Sequence, residues 1–423
     1  MKKVNHNIYV YADWVEINAP KLMGVLTAER LRGKEIFSFE YAEDWLKQNA
    51  SIVIDPDLQL YKGKQYLNDI AKNNFGVFLD SSPDRWGRIL MRRREAAIAR
   101  KEGRTEQSFF EVDYLLGVYD EHRMGGIRFK TDKNGAFLND DKQLSIPPWT
   151  SIRELEEISL KLEEEEVSND PDYIKWLNML IAPGSSLGGA RPKASITDNK
   201  KNLWIAKFPS KKDDVDVGAW EMVVHNLACQ CGIEMAEAQV KKFSGKHHTF
   251  LTKRFDRTTN GKRIHFASAM TLLGYTDGTD ATDGVSYLEL VEFIISHGAN
   301  TNKDLEQLWR RIVFHICVSN TDDHLRNHGF LLSENGWKLS PAYDINPIEI
   351  GTGLKLNITE HDNALDLSLA LEVAPYFRIT PTKATEIIKT TKNTVKNWRL
   401  IAKKYGIPTS EQELKTRAFR LCE

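Results

Sequence analysis

The chain of 423 residues contains only four cysteines, and none of them forms a Cys-x-x-Cys pair. Such pairs are typical of zinc sites and redox-active thiols, so the sequence gives neither signal. No stretch approaches the roughly eighteen consecutive apolar residues that indicate a membrane-spanning helix. Residues 1–13 also lack the apolar segment of a secretory signal. We therefore expect a cytoplasmic protein with no membrane partner.

The sequence also lacks an excess of charge of either sign. Its 58 Lys and Arg residues stand against 59 Asp and Glu, which leaves a formal net charge of -1. A chain of this balance is not expected to bind nucleic acid over its whole surface, so contact with DNA should be local or through a partner. With 41% hydrophobic and 28% charged residues, the composition is that of a globular protein. The length predicts two or three domains.

One stretch concentrates groups that bind hard metal ions. Asp322 and Asn327 are five residues apart, and Asp344 follows a short apolar hairpin whose Asn335-Gly336 pair predicts a type I′ turn. Protein kinases have the same order: the first Asp acts on the substrate hydroxyl, and the Asn and the second Asp hold Mg²⁺ against the ATP phosphates. An Asp and an Asn at this spacing are common in loops. Here, however, they follow a predicted helix with apolar residues at helical spacing.

The most glycine-dense run of the chain, GSSLGGARPK, covers residues 184–193. The unhindered backbone N-H groups and basic residues of such a loop suit a phosphate, which makes Ser186, Gly188 and Gly189 candidate nucleotide contacts. The run is not a Walker A loop, because no Gly-Lys-Ser/Thr closes it. Taken alone, it is more typical of a turn between strands.

The segments that follow the glycine run strengthen the kinase interpretation. Lys207 lies near the end of a strand predicted over residues 203–208, and Glu221 borders the apolar face of a helix predicted over 218–231. Kinases use a glycine loop, a strand Lys and a helix Glu in this order: the Lys reaches the ATP phosphates, and the Glu holds the Lys. Each residue alone would be an ordinary surface residue. The ordered set indicates a nucleotide site.

Other segments predict the framework. The region 7–60 is rich in β-branched and aromatic residues and predicts a β-rich module. Ser82 as N-cap and Pro83 at the first helical position predict the start of a helix. A charged helix is predicted over 151–166, with apolar residues at helical spacing.

With these residues assembled, the sequence resembles the HipA family of bacterial serine/threonine kinases, the toxins of toxin-antitoxin pairs. The family pattern Asn-x-Asp-x-His-x-x-Asn appears as Asn320, Asp322, His324 and Asn327, and the metal-binding Asp as Asp344 in SPAYDINP. The segments WIAKFPS, KRFDR and PDRWGR also match. The resemblance implies that Asp322 is the catalytic group and that Asn327 and Asp344 bind Mg²⁺. It carries over Asn320 and His324 as parts of the motif without a role.

The resemblance also implies a nucleotide site. Lys207, Lys253 and Phe255 line it, the last two partly through their backbone, although Phe255 is equally typical of an apolar core. Ser186 matches the serine at which the family autophosphorylates, and on chemical grounds Ser185 is an equal candidate. Lys253 stands where the family has Glu.

A second departure lies beside the catalytic group. Asp323 stands where a small residue is expected. It predicts an additional negative charge near the metal ions.

We therefore predict an α+β protein with a two-lobed, protein-kinase-like fold. Residues 1–130 form a β-rich module with one helix, 131–257 the kinase N-lobe with the glycine loop and the ATP lysine, and 258–423 a mostly helical C-lobe. The cofactors implied by the resemblance are ATP and Mg²⁺. Its implied partners are a small helix-turn-helix antitoxin, DNA through the antitoxin complex only, and a protein substrate in translation.

Two other functions remain open. One is a binding module that holds an antitoxin on operator DNA with residual kinase activity, which the intact set of Asp, Asn, Asp and Lys disfavours. The other is a lipid or small-molecule kinase of related fold. The absence of an obvious amphipathic membrane-binding segment makes a lipid substrate the weaker choice.

Overall fold

The computed structural model of the protein describes residues 4–31, 33–48, 52–69, 71–145, 147–164, 167–181 and 191–423. The predicted contacts Ser186, Gly188 and Gly189 lie outside these residues. The chain folds into two compact units. The first comprises Met1–Ile205 and Asp256–Thr276, and the second comprises Ala206–Phe255 and Asp277–Glu423.

The strands are β1 (Val4–Ala12), β2 (Lys21–Leu31), β3 (Lys34–Tyr41), β4 (Lys64–Tyr66), β5 (Ile127–Lys130), β6 (Lys193–Thr197), β7 (Leu203–Lys207), β8 (Ala238–Lys241), β9 (Thr249–Lys253), β10 (Phe266–Ser268), β11 (Gly329–Ser333) and β12 (Gly336–Leu339). The α-helices are α1 (Glu43–Gln48), α2 (Gly76–Leu79), α3 (Arg85–Glu102), α4 (Glu111–Gly117), α5 (Ile152–Lys161), α6 (Tyr173–Leu180), α7 (Val217–Gln230), α8 (Ala269–Leu272), α9 (Tyr287–His297), α10 (Thr301–Val318), α11 (Leu367–Val373), α12 (Pro381–Val395), α13 (Trp398–Lys404) and α14 (Thr409–Lys415). Among the described residues, no helix has both the length and the apolar character needed to cross a membrane.

The first unit contains an antiparallel sheet of five strands in the order β4-β3-β2-β1-β5. Alternate side chains of a strand point to the same face, and in β1 the residues Ile8, Val10 and Ala12 are fully buried. The β-rich N-terminal region predicted from the sequence is thus confirmed.

Helix α3 begins two residues later than predicted. Its N-cap is Asp84, whose Oδ1 accepts a hydrogen bond from the backbone N-H of Gly87 at 2.8 Å. The prediction of Ser82 as the cap was wrong because Ser82 follows the preceding short helix α2, where its hydroxyl donates to the carbonyl of Phe78 at 2.9 Å. Asp and Ser are similarly good caps, so local sequence alone did not separate them.

Three amphipathic helices predicted from apolar spacing are present. Helix α5 is shorter than the predicted range 151–166, but its apolar stripe is buried as expected. Helix α7 buries its predicted stripe and also Glu221, which is only 4% exposed. In the second unit, α10 has a fully buried stripe that consists of Leu305, Leu308, Trp309, Ile312, Val313, Ile316 and Cys317.

The predicted hairpin after the Asp-Asn motif is confirmed, but its turn differs. Strands β11 and β12 pair with Ser333 opposite Gly336, so the two loop residues are Glu334 and Asn335. A type I′ turn needs positive φ at both loop residues, whereas the positive φ of +118° occurs at Gly336. A Cβ on Gly336 would lie 2.5 Å from the carbonyl oxygen of His297, so this glycine permits a close backbone approach rather than a type I′ turn.

Candidate active site

The ammonium group of Lys207 lies between two carboxylates of the second unit. Its Nζ is 2.6 Å from Oε1 of Glu221 and 2.7 Å from Oδ1 of Asp344. Burial alone would lower the pKa of Lys207, but the charges of Asp344 and Glu221 outweigh it and raise the pKa above its usual value. The amine therefore remains a cation at neutral pH. The structure thus brings together three of the residues that the sequence assigned to ATP and metal binding.

Asp344 is held in an uncommon backbone conformation. Its φ is +57°, in the left-handed region that residues other than glycine seldom adopt. The preceding residue, Tyr343, lies with its ring 5.5 Å from the ring of Phe255 and donates its hydroxyl to the carbonyl of Arg326 at 2.7 Å. Tyr343 thus links the segment after β9 to the loop that carries Asn327.

Lys253 contacts Glu237, the residue before strand β8, rather than the residues around Lys207. Its backbone N-H donates to the carbonyl of Glu237 at 2.8 Å, and its ammonium pairs with the Glu237 carboxylate at 3.1 Å. In that ion pair the Glu237 side chain is 64% exposed and the Lys253 side chain 30% exposed. Because the N-H is engaged, a contact between the Lys253 backbone and adenine would have to use the carbonyl oxygen. The nucleotide role of Lys253 stays a prediction.

The loop of Asp322 is fixed through its backbone. The carbonyl of Asp322 accepts from Nδ2 of Asn327 and from the N-H of His324, both at 3.0 Å, and the N-H of Asn327 donates to the carbonyl of His324 at 2.8 Å. The side chain of Asp322 is exposed, and no residue that the structure describes pairs with its carboxylate. This arrangement holds the loop and leaves the carboxylate available. His324 contributes through its main chain, a role that the motif alone did not indicate.

The donor set fits Mg²⁺. The amide oxygen of Asn327 is buried and accepts no hydrogen bond from the described residues, while its nitrogen is held by Asp322. A buried acceptor left unsatisfied costs about 1–3 kcal/mol, which a bound cation would offset. Amide and carboxylate oxygens are the ligands that Mg²⁺ prefers. Asn327 and Asp344 therefore have the chemistry predicted for them.

The chain after Asp344 is tied to the start of the same loop. The N-H of Asn346 donates to Oδ1 of Asn320 at 3.2 Å, and the N-H of Ile348 donates to the carbonyl of Ser319 at 3.2 Å. Asn320, which the motif left without a role, thus positions the segment that follows Asp344. Asn346 itself was not singled out by sequence reasoning, although it stands in the SPAYDINP segment.

Asp323 is not part of an exposed charged cluster. It is 1% exposed, and its Oδ2 accepts from the Tyr287 hydroxyl at 2.5 Å and lies 2.8 Å from Nε2 of His328 and 2.9 Å from Nδ1 of His315. Burial raises the pKa of Asp323, but the two histidines outweigh burial and hold it well below its usual range. The additional charge that the sequence placed near the metals is instead buried in the second unit, in contact with Tyr287, His315 and His328.

We expect Asp323→Asn to lower the free energy of unfolding by about 3 kcal/mol at pH 7, because it removes the negative charge at the centre of a buried hydrogen-bonded network. Since the pKa of Asp323 is depressed in the folded protein, its stabilisation is present above the unfolded pKa of about 3.9 and disappears as the pH falls through the folded value. Urea unfolding between pH 7 and pH 3 should therefore show a difference from wild type that shrinks below about pH 4.

The neighbouring variant Asp322→Asn is the control for this prediction. Its carboxylate is exposed, so its stability should stay within about 0.5 kcal/mol of wild type. A loss in Asp323→Asn of the same size at every pH would contradict the charge-based explanation.

Comparisons with known proteins give the following similarities. The family model of the HipA-like C-terminal domain matches residues 185–398. A candidate kinase of Haemophilus influenzae is 27% identical over 179 residues, which are 38% of this chain and 52% of that protein. The serine/threonine-protein kinase toxin HipA of Shewanella oneidensis is 22% identical over 270 residues, 56% of this chain and 60% of that protein. The chain thus spans about half the length of these two curated relatives.

A solved structure shares the fold. The complex of HipA, HipB and operator DNA from Shewanella oneidensis MR-1 matches with a TM-score of 0.66 at 17% sequence identity, over 98% of this chain and 96% of that chain. The predicted α+β fold, β-rich in its N-terminal region and helical in its C-terminal part, is confirmed. At this identity the match shows the fold alone.

Proposed function

The chain belongs to the HipA-like C-terminal domain family, and from this membership we propose that it is an ATP- and Mg²⁺-dependent serine/threonine protein kinase, the toxin of a bacterial toxin-antitoxin pair. The observation that carries the proposal is the position of Lys207, whose ammonium lies between Glu221 and Asp344. Kinases require this combination of a phosphate-binding Lys, a Glu that holds it, and a metal-binding Asp.

Each residue of the site has a separate role in phosphoryl transfer. Lys207 holds the ATP phosphates, and Asn327 and Asp344 hold the metal. When bound, Mg²⁺ neutralises the negative charge of the phosphates. Asp322 orients the hydroxyl of the serine or threonine substrate and accepts its proton. Catalysis is then largely positioning and charge stabilisation, since the backbone hydrogen bonds of the loop fix Asp322 before substrate binds.

The proposed partners follow from the relatives. The solved HipA of Shewanella oneidensis is in a complex with HipB and its operator DNA. We propose that this chain binds a small helix-turn-helix antitoxin and reaches DNA only through it. A protein substrate in translation is proposed from the resemblance to the family. The intact Lys207, Glu221 and Asp344 arrangement favours an active kinase over a module that only holds an antitoxin.

Incubation with labelled ATP and Mg²⁺ tests the activity and the proposed regulation together. We expect the purified protein to acquire a phosphate on Ser186, and we expect Asp322→Asn, prepared in cells that lack other kinases, to acquire none. A phosphate adds about -1.5 to -2 charges at neutral pH. Next to the phosphates of ATP it should weaken nucleotide binding. Intact mass, peptide mapping and ATP affinity of the two forms measure these effects.

Ser186→Ala and Ser185→Ala form a matched pair for this experiment. The first should abolish the modification and the second should preserve it. Phosphate on purified Asp322→Asn, or a phosphorylated wild type that binds ATP as tightly as the unmodified form, would contradict inactivation by autophosphorylation.

A further inference from the structure

Asn346 has an amide group directly beside the carboxylate of Asp344. Its Nδ2 is 3.4 Å from Oδ1 of Asp344, which is long for an N-H···O hydrogen bond. Its Oδ1 is buried and accepts no hydrogen bond from the residues that the structure describes. In this orientation the amide thus has its nitrogen toward the Asp344 carboxylate and a buried oxygen that accepts no hydrogen bond from the described residues.

The backbone on both sides of this amide is fixed. The N-H of Asn346 donates to Asn320 at 3.2 Å, the N-H of Ile348 donates to Ser319 at 3.2 Å, and the ammonium of Lys415 donates to the carbonyl of Pro347 at 3.1 Å. The side chain of Asn346 is therefore presented from a pre-organised segment, and little ordering is needed when it binds a ligand.

The amide can present either end to Asp344. Its oxygen and nitrogen occupy nearly the same positions after a half-turn of the terminal group. That turn would place the Asn346 oxygen about as far from Oδ1 of Asp344 as the nitrogen is now. Adjacent oxygen ligands of octahedral Mg²⁺ are about 3 Å apart, given metal-oxygen distances of about 2.0–2.1 Å. The two side chains are therefore close to the spacing of neighbouring Mg²⁺ ligands.

We propose that Asn346 is a further Mg²⁺ ligand, which supplies its amide oxygen beside the carboxylate of Asp344. Without a cation the N-H end faces the carboxylate, since two oxygens would repel each other. With a cation the oxygen end faces it. The inference rests on the proposed kinase function and extends the predicted metal site from Asn327 and Asp344 to a third protein oxygen.

A different role for Asn346 would be a permanent hydrogen-bond donor that only orients Asp344. The two roles predict opposite results for Asn346→Asp. A ligand replaced by a carboxylate keeps its oxygen and gains a charge, so metal affinity should be retained or increased. A donor replaced by a carboxylate is lost and repels Asp344, so metal affinity should fall at least as far as in Asn346→Ala.

The experiment measures metal binding directly, as Mn²⁺ affinity by electron paramagnetic resonance in the presence of a non-hydrolysable ATP analogue. We expect Asn346→Ala to weaken Mn²⁺ binding about tenfold or more, by analogy with the loss of residues that support a metal site. Asn346→Asp should bind within about threefold of wild type or more tightly. The control is Asn357→Ala, which removes a buried amide of the same unit that donates to Ala281 at 3.0 Å. Its Mn²⁺ affinity should be unchanged.

Two results would overturn the inference: wild-type Mn²⁺ affinity in Asn346→Ala, or a loss in Asn346→Asp as large as in Asn346→Ala. If thermal unfolding shows that Asn346→Ala does not fold, the Mn²⁺ affinity of Asn346→Asp tests the inference by itself. Failure of the proposed function looks different, because the wild-type protein would then show no nucleotide-dependent Mn²⁺ binding. A third pattern would overturn the inference and leave the proposed function intact. In that pattern the wild type binds Mn²⁺ normally, Asp344→Asn loses the binding and Asn346→Ala keeps it.

Discussion

Asp322→Asn should reduce phosphoryl transfer by about 10³-fold or more and leave ATP affinity within about twofold of wild type. The carboxylate of Asp322 is exposed and has no partner among the described residues, while the loop is held through its carbonyl. The substitution therefore removes the group that acts on the substrate hydroxyl without removing any bond that shapes the loop. Turnover of labelled ATP and equilibrium binding of ATP measure the two quantities.

Asp214→Asn is the matched control for Asp322→Asn. Asp214 is another exposed aspartate of the second unit without a partner among the described residues, so its substitution makes the same chemical change away from Asp322. It should leave turnover unchanged. A loss of turnover below tenfold in Asp322→Asn, or an equal loss in both variants, would rule out Asp322 as the catalytic group.

Much of the candidate site was accessible from the sequence because each residue type occurs in a recognisable local context. Lys207 ends a short apolar strand, Glu221 lies on an apolar helix, and Asp344 follows a hairpin. Their order along the chain is the order found in protein kinases, and it predicted that the three residues belong to one site. The structure adds that both carboxylates lie within hydrogen-bond distance of the same ammonium, which no local pattern could establish.

The environment of Asp323, which sequence reasoning misjudged, depends on contacts between distant segments. Asp323 is adjacent to Asp322, yet its partners are Tyr287 on α9, His315 on α10 and His328 just before β11. Adjacent residues in a loop can face opposite environments. A loop also has no regular spacing of apolar residues that would indicate which of the two is buried. His315 and His328 were the signal available in the sequence, since a buried carboxylate needs such donors.

The helix start at Asp84 and the turn at Glu334 and Asn335 differed from prediction for another reason. In both places two sequence signals compete within two residues. Ser82 and Asp84 can each cap a helix, and an Asn-Gly pair can shift by one position when the glycine is needed for a close backbone approach. The pairing of the flanking segments decides between such alternatives, so the elements were predicted correctly while their ends were not.

Asp344→Asn should weaken the binding of ATP at saturating Mg²⁺ by at least about tenfold, and most of the loss should disappear when Mg²⁺ is withheld. The substitution removes a negative charge from the metal site, while Lys207 keeps its contact with Glu221 at 2.6 Å. The measurement is ATP affinity as a function of Mg²⁺ concentration, with the protein's thermal unfolding as a check of folding.

Glu221→Gln is the control for Asp344→Asn, because it separates loss of the metal from loss of the contact with Lys207. Glu221 and Asp344 hold the same ammonium, but only Asp344 is proposed to hold the metal. Glu221 is buried on α7 and 2.6 Å from Lys207, so its loss should misplace the phosphate-binding amine whether or not Mg²⁺ is present. The ratio of ATP affinities with and without Mg²⁺ should therefore fall in Asp344→Asn and stay near the wild-type ratio in Glu221→Gln.

If the ratio fell equally in both variants, Asp344 would be a second residue that holds Lys207 and not a metal ligand. If it fell in neither, the assignment of the metal to Asp344 would be wrong, while the role of Lys207 would stand.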